Sequence, residues 1–269
     1  MLTDLDRPLN IAHRGASKIA PENTLAAFEK ADEVGADGIE FDVHLSADGV
    51  PVVIHDATVD ATTGSSGRVR DMTVSQLKRL DAGSTFDPAF AGERIPTLAE
   101  TLETFGERLL LNIELKEMSV FDRGLEQTVV DLVEEYGLQD RVFFSSFNPF
   151  ALRRAQDLAP RIPTGLCYMY ARRPFLHLAS LIMARRNAAF HPYHPIADEQ
   201  HISWARAHDK RVNIWTVDDP ADMRRFIRWR VNGIITNVPS VLRQVLEEEI
   251  SGGTSDTPAG LGRRVGHGI

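Results

Sequence analysis

Cysteine is almost absent from this chain: Cys167 stands alone among 269 residues. An internal disulfide is thereby excluded, and such usage suits a reducing compartment. Long apolar runs are missing as well. None approaches the roughly 20 residues that a membrane-spanning helix needs, so stable membrane insertion is not expected. Positive charge is in deficit, with 30 Lys and Arg against 38 Asp and Glu and a net charge of -8. That balance disfavours a nucleic-acid partner, which calls for a basic face. It says less about a small anionic substrate, because a bound cation reverses the local sign. The opening stretch, Met1 to Asp6, has neither a cationic start nor an apolar core. It does not read as a signal peptide, and a cytoplasmic location is the expectation.

What is present reads as an ordinary globular chain, 43% apolar and 25% charged, long enough for one barrel or two modest domains. Its clearest pattern is Gly38 to Leu45, where Ile39, Phe41, Val43 and Leu45 alternate with Gly38, Glu40, Asp42 and His44. A period of two predicts a β-strand, here with one face carrying two carboxylates and an imidazole. The turn signal Asp48-Gly49 then predicts a hairpin that returns over Val50 to Asp56. Seven further strands are expected near residues 10, 109, 142, 164, 188, 211 and 233. Helices are expected over residues 25–31, 98–105, 123–136, 149–158, 175–186, 197–208, 220–229 and 238–250, the first with Asn23 or Thr24 as its N-cap. Eight strand-then-helix units are what a (β/α)8 (TIM) barrel requires. An open doubly wound sheet fits less well, because no Gly-x-Gly-x-x-Gly turn follows the first strand. Residues 1–250 therefore read as a single barrel domain. An insertion over about 46–95 is largely irregular from 57 on, with one short helix near 75–80, and residues 251–269 read as a disordered tail.

In such a barrel the strand C-termini build the active site. His13 closes the first strand, Glu40 and Asp42 lie near the end of the second, Glu114 and Lys116 close the next, Trp215 closes the seventh and Thr236-Asn237 the eighth. Three carboxylates converging from adjacent strands repel unless a cation lies between them. An all-oxygen set suits Mg²⁺ or Ca²⁺ better than zinc; a structural cluster neutralised by Lys and Arg is the alternative. Of nine histidines, His177, His201, His208 and His267 fall on helices or in the tail, and His44 lies beyond the carboxylates on its strand. His191 and His194 flank a strand end and could line the pocket. His13 and His55 differ from the rest: each ends an apolar strand and is followed at once by a charged residue, Arg14 or Asp56. Beside a bound anion and a metal they would form a general acid and base.

The ordered set His13-Arg14-Gly15, Pro21-Glu22-Asn23-Thr24, Glu40-x-Asp42-Val43, His55-Asp56, Glu114-x-Lys116, Trp215-Thr216-Val217 and Ile235-Thr236-Asn237-x-Pro239 resembles the glycerophosphodiester phosphodiesterase family. Each motif alone is weak; the series in family order over nearly the whole chain is specific. The resemblance implies a TIM barrel with a small insertion after the second strand, and one divalent cation held by Glu40, Asp42 and Glu114. It implies His13 and His55 as the catalytic pair, and Arg14, with Lys116 and Trp215, as substrate-binding. One departure is Ala61, where the family usually carries arginine, which removes a positive side chain from the insertion loop.

The reaction implied is hydrolysis of glycerophosphodiesters such as glycerophosphocholine or glycerophosphoethanolamine to sn-glycerol 3-phosphate and an alcohol. The metal would lower the pKa of the neighbouring glycerol hydroxyl, whose attack gives a cyclic phosphate that water opens, with the histidines exchanging roles. The nearest alternative keeps the chemistry and takes a lysophospholipid, with Met72, Phe86 and Phe90 of the insertion against the acyl chain. A non-catalytic phosphate- or metal-binding barrel is disfavoured because every catalytic side chain is present. An amidohydrolase-type barrel would carry His-x-His after the first strand, and Ile11-Ala12-His13 lacks it. The leaving alcohol, the choice of metal and the oligomeric state stay open.

Overall fold

The architecture follows from a computed structural model, which describes residues 6–121, 123–169 and 188–253. Nine strands are found among these: β1 Leu9–His13, β2 Gly38–Leu45, β3 Pro51–Val53, β4 Leu110–Leu115, β5 Val142–Ser146, β6 Thr164–Tyr168, β7 Ala188–Pro192, β8 Asn213–Ile214 and β9 Gly233–Thr236. Eight of them lie parallel in the order β7-β6-β5-β4-β2-β1-β9-β8. Single parallel bridges, Phe190 with Val212 and Tyr193 with Trp215, join β7 to β8 and nearly close the barrel. β3 pairs antiparallel with β2, as the Asp-Gly turn predicted.

The helices between strands are α1 Leu25–Glu33, α2 Leu98–Phe105, α3 Leu125–Glu135, α4 Pro149–Leu158, α5 Glu199–Ala207, α6 Pro220–Arg228 and α7 Pro239–Gly253. Side-chain caps explain where most of them start. Thr24, not Asn23, caps α1 by accepting the Ala27 N–H, while Thr97 and Glu100 form a full capping box on α2. Asn148, Asp198 and Asp219 do the same for α4, α5 and α6 through single side-chain acceptors. No helix among the described residues is long and apolar enough to cross a membrane.

Several expectations shift. The seventh barrel strand, predicted over residues 211–217, shrinks to Asn213–Ile214, although Val217 beyond it still donates its N–H to the Ile235 carbonyl of β9 at 3.0 Å. The last helix runs to Gly253 rather than 250, with the Ser251 hydroxyl donating to the Glu247 carbonyl at 2.8 Å. The expected helix at 175–186, His177, and the tail from 254 lie outside the described residues. The insertion is more ordered than its composition suggested. It carries short helices at Asp60–Thr63 and Val74–Leu77, and 3-10 turns at Val69–Asp71 and Pro88–Phe90. Val52, Ile54, Val59, Val69, Leu77, Ala82 and Ile95 form a core of its own, against which Met72 packs.

The main core lies between the sheet and its helices. Inside the barrel a separate apolar cluster of Leu9, Ile11, Leu110 and Ile235 plugs the axis. On these strands the same inward faces carry His13, Asn112 and Glu114 further along, so the interior turns from apolar to polar toward the strand C-termini. Phe28 shows what holds α1 to this frame: fully buried, its ring lies 5.5 Å from Phe41 and 5.8 Å from Phe105. Phe28→Ala should cost about 3–5 kcal/mol of stability, read as a lowered urea midpoint with an unchanged slope; a loss below about 1 kcal/mol would show that this aromatic cluster does not anchor the helix.

Candidate active site

β1 ends at His13 because the next residues take left-handed backbone, Arg14 at φ 56° and Gly15 at φ 85°. A Cβ on Gly15 would lie 2.6 Å from the Ala27 carbonyl carbon, so only glycine lets the turn pass under α1. The strained Arg14 is held from three directions. Its N–H donates to the Glu40 carbonyl at 2.8 Å and faces Glu40 Oε2 at 3.2 Å, and its carbonyl accepts the Asn23 N–H at 3.0 Å. Asn23 is itself left-handed, at φ 57°. Its Nδ2 donates to Asp42 Oδ2 at 2.9 Å and its Oδ1 accepts the Asp42 N–H at 3.3 Å. This loop thus ties the arginine to the carboxylates of β2.

Register brings those carboxylates together. His13 pairs with Glu40 across β1 and β2, and Asp42 with Glu114 across β2 and β4. Glu40, Asp42 and Glu114 are all buried and offer oxygens within 4.8 Å of one another. Lys116 places its Nζ 2.9 Å from Glu114 Oε1 and 3.2 Å from Asp42 Oδ1, and so faces the carboxylates themselves. Arg14 Nε lies 3.4 Å from Asp42 Oδ2, while Nη1 donates to both Glu22 oxygens at 2.9 Å.

These two cations do not neutralise the cluster. Burial pushes Asp42 up, but Lys116 and Arg14 outweigh it and hold that carboxyl below its usual range. Glu40 is driven well above the ordinary range by burial and then by Asp42 and Glu114. Burial and the Asp42 charge raise Glu114 to about 7. Near neutral pH, protons on Glu40 and Glu114 therefore compete with any further positive charge at the site. Beneath them Asn112, the register partner of Glu40, leaves both side-chain polar atoms without a partner, as does the Ser145 hydroxyl opposite Glu114. Three hard oxygen donors with an unmet demand for positive charge, above unpaired polar groups, fit a hydrated divalent cation.

The two histidines stand on either side. His13 Nε2 is 3.9 Å from Glu40 Oε2, and its Nδ1 is 2.7 Å from Asn237 Oδ1. Burial, aided by Arg14, lowers His13 to about 4. His55 follows β3, with Nδ1 2.8 Å from Asp56 Oδ1. His44, beyond the carboxylates on β2, places Nε2 3.0 Å from the His55 carbonyl and so braces that segment. His13, Arg14, Glu40, His55 and Glu114 line one cavity of about 280 Å³, which continues down to Asn112, Ser145, Cys167 and His191 and is walled by Phe147 and Trp215. Trp215 is fixed by its indole N–H donating to the His191 carbonyl at 2.7 Å and by the Phe147 ring at 5.4 Å.

Of the His191 and His194 pair, only His191 enters this cavity. Gly165 makes room for it, since a Cβ there would lie 2.3 Å from its Nε2. Burial lowers its pKa to about 3, so it stays neutral. His194 instead faces Asp222, 3.5 Å away. Cys167 is no nucleophile: burial pushes its thiol far up. Residues given no role on sequence grounds include Glu22, Asn23, Asn112 and Asn237. Asn23 and Asn237 both sit inside the motifs noted above, but their partners come from other strands. A second cavity, about 290 Å³, lies beside Arg7, Asp37 and Arg243. Its charges are already paired, Arg7 with Asp37 and Arg243 with Glu247.

With this geometry in place, comparisons with known proteins are specific. Residues 13–241 match the sequence profile of the glycerophosphoryl diester phosphodiesterase family. The chain is 44% identical over 237 residues to a glycerophosphodiester phosphodiesterase of Caldanaerobacter subterraneus subsp. tengcongensis, covering 88% of this chain and 96% of that one. A glycerophosphodiester phosphodiesterase of Bacillus subtilis is 31% identical over 255 residues, 89% of this chain and 87% of the relative. Among solved structures, an Oleispira antarctica phosphodiesterase in complex with the product sn-glycerol-3-phosphate superimposes with a TM-score of 0.82 at 32% identity, over 90% of this chain and 97% of that one. A glycerophosphodiester phosphodiesterase from Agrobacterium tumefaciens gives 0.75 at 32% identity, over 87% and 98%.

The raised carboxyls make stability depend on pH and metal together. Without metal, folded Glu114 and Glu40 hold protons that the unfolded chain releases, so stability falls as pH rises through about 7. His13, His44, His191 and His201 are all lowered, so below about pH 7 the unfolded chain binds protons on them and opposes this trend, which is therefore read above the usual histidine range. In chelator, the melting temperature should drop between about pH 7.5 and 8.5, and added Mg²⁺ or Ca²⁺ should raise it more at the higher pH. A metal-induced shift that is the same at both pH values would contradict the protonated state of these carboxyls.

Proposed function

Because the chain belongs to the glycerophosphoryl diester phosphodiesterase family, we propose how its side chains divide the work of a phosphodiester hydrolase. The enzyme hydrolyses glycerophosphodiesters to sn-glycerol 3-phosphate and an alcohol. The observation that carries the assignment of roles is a single cavity lined by His13, His55 and two members, Glu40 and Glu114, of a buried acid triad.

In this reading His13 and His55 are the acid and base, Glu40, Asp42 and Glu114 hold one divalent cation, and Arg14, Lys116 and Trp215 contact the substrate. The all-oxygen donor set favours Mg²⁺ or Ca²⁺. When bound, the cation polarises the phosphate and offsets charge that develops on it. Arg14 is braced from behind by Glu22 and lines the cavity, so its guanidinium adds fixed positive charge where the phosphate binds. Lys116 adds a second, beside Asp42 and Glu114. Trp215 offers an immobilised aromatic wall to the glycerol carbons or the leaving alcohol. One histidine takes the proton of the glycerol hydroxyl beside the ester, and the other protonates the departing alcohol. The resulting cyclic phosphate is opened by water, with the two histidines exchanging roles. No serine or cysteine nucleophile is required. The barrel with its insertion works as one catalytic domain over residues 1–250, since the insertion supplies His55.

A lysophospholipid substrate is not favoured. Met72, expected to meet an acyl chain, packs into the core of the insertion, and Phe86 and Phe90 pair edge to face at 5.7 Å.

Glycerophosphocholine and glycerophosphoethanolamine should release their alcohols in the presence of Mg²⁺ or Ca²⁺, with release abolished by chelator and restored by the ion. His13→Ala and His55→Ala should each lower kcat at least about 10²-fold. Near-normal turnover in both variants would remove the histidines from the mechanism, and a chelator-resistant enzyme would remove the cation.

A further inference from the structure

A hydrogen-bond chain runs behind His13. It starts at Asp218, three residues beyond Trp215. Asp218 Oδ1 accepts from the Asn237 backbone N–H at 2.8 Å and from the Thr236 hydroxyl at 3.1 Å, and Oδ2 accepts from Asn237 Nδ2 at 2.7 Å. A carboxylate offers only acceptors, so the NH₂ end of the Asn237 amide must face it. The amide oxygen then points the other way, to His13 Nδ1 at 2.7 Å. Ser17 Oγ, 2.9 Å from the same oxygen and 2.9 Å from the His13 carbonyl, is a further donor and leaves the amide orientation unchanged. An amide oxygen cannot donate. The proton of this bond therefore belongs to His13 Nδ1, and the neutral ring presents a bare Nε2 lone pair to the cavity, beside Glu40.

His55 has a different partner. Its Nδ1 faces the Asp56 carboxylate at 2.8 Å, and with His13 Nε2 held bare, His55 is the imidazole left to supply a proton.

We propose that Asp218 and Asn237 are positioning residues that lock His13 in its Nδ1–H tautomer, making His13 Nε2 the proton acceptor and His55 the proton donor of the first step. This rests on the acid–base reading above and adds the direction of proton flow. The glycerol hydroxyl loses its proton to His13 Nε2 as its oxygen bonds to phosphorus. The ester P–O bond breaks, and the departing oxygen takes the proton of His55 Nε2. In the second step His55 Nε2 accepts a proton from water as the water oxygen bonds to phosphorus. His13 Nε2–H then protonates the ring oxygen that leaves, which restores both residues.

The test is direct observation of the tautomer. In the full chain labelled with ¹⁵N-histidine, two-bond ¹H–¹⁵N correlation spectra at pH 7.5 report which ring nitrogen carries the proton, with His13 assigned by the signals lost in His13→Ala. The wild type should show His13 protonated at Nδ1 and bare at Nε2, a measurement that needs no destabilising variant. Asp218→Ala frees the amide to turn, so the Nε2–H form should appear and kcat should fall about 10²–10⁴-fold with KM nearly unchanged, as expected when a catalytic imidazole loses its tautomer. The exchanged pair D218N/N237D keeps a donor at position 218 and an acceptor toward His13, and should restore both the tautomer and most of the lost kcat. An Nε2–H ring in the wild type, or an unchanged tautomer in Asp218→Ala, would overturn the proposal. A locked Nδ1–H tautomer together with full turnover by His13→Ala would instead overturn the catalytic role of His13 while leaving the hydrogen-bond chain intact.

Discussion

Mutual repulsion among Glu40, Asp42 and Glu114 is the constraint on which the rest of this structure turns. At 4.8 Å, and with an effective dielectric of about 20, each pair of full charges costs roughly 3–4 kcal/mol. Removal from water adds to that cost. Lys116 and Arg14 relieve Asp42 and leave Glu40 and Glu114 with raised pKa values. A site so charged answers a divalent cation and a phosphodiester in turn: the first supplies the missing positive charge, and the second meets the positive side chains already there.

The scaffold keeps that repulsion from spreading the strands apart. Parallel register places Asp42 opposite Glu114 and His13 opposite Glu40, so the carboxylates ride on rigid ladders rather than loops. Below them the barrel axis is plugged by Leu9, Ile11, Leu110 and Ile235, which confines polar groups to the open end. The left-handed turn at Arg14 and Gly15 is held by Asn23 from the next loop, and the same Asn23 side chain bonds Asp42. One short loop thereby positions both the arginine proposed to meet the phosphate and a carboxylate proposed to hold the metal.

The insertion contributes more than a covering. Ile54 belongs to the insertion's core, while its N–H donates to the Asp42 carbonyl at 3.0 Å. His55 follows directly, so its distance from the carboxylates is set jointly by the barrel and by that small core. Met72 packs against that same core.

Much of this was legible in the chain. The period-two run from Gly38 to Leu45 specified a strand with an acidic face, and eight strand-then-helix units specified a barrel, because side-chain alternation and helix periodicity are local properties of the backbone. The resemblance then supplied roles for His13, His55 and the acid triad. Other features depended on neighbours far away in sequence. Lys116 turned to Asp42 and Glu114, His44 became a brace for His55, and the irregular 57–95 stretch acquired a core from residues that show no period. Asn237 and Asp218 were unremarkable by residue type. Only the closing of β9 against β1 placed Asn237 behind His13, 224 residues earlier in the chain. The residues by themselves determined which chemistry was available. Which ring nitrogen of His13 faces the cavity without a proton was decided by tertiary structure, because a hydrogen bond is set by what stands at its far end.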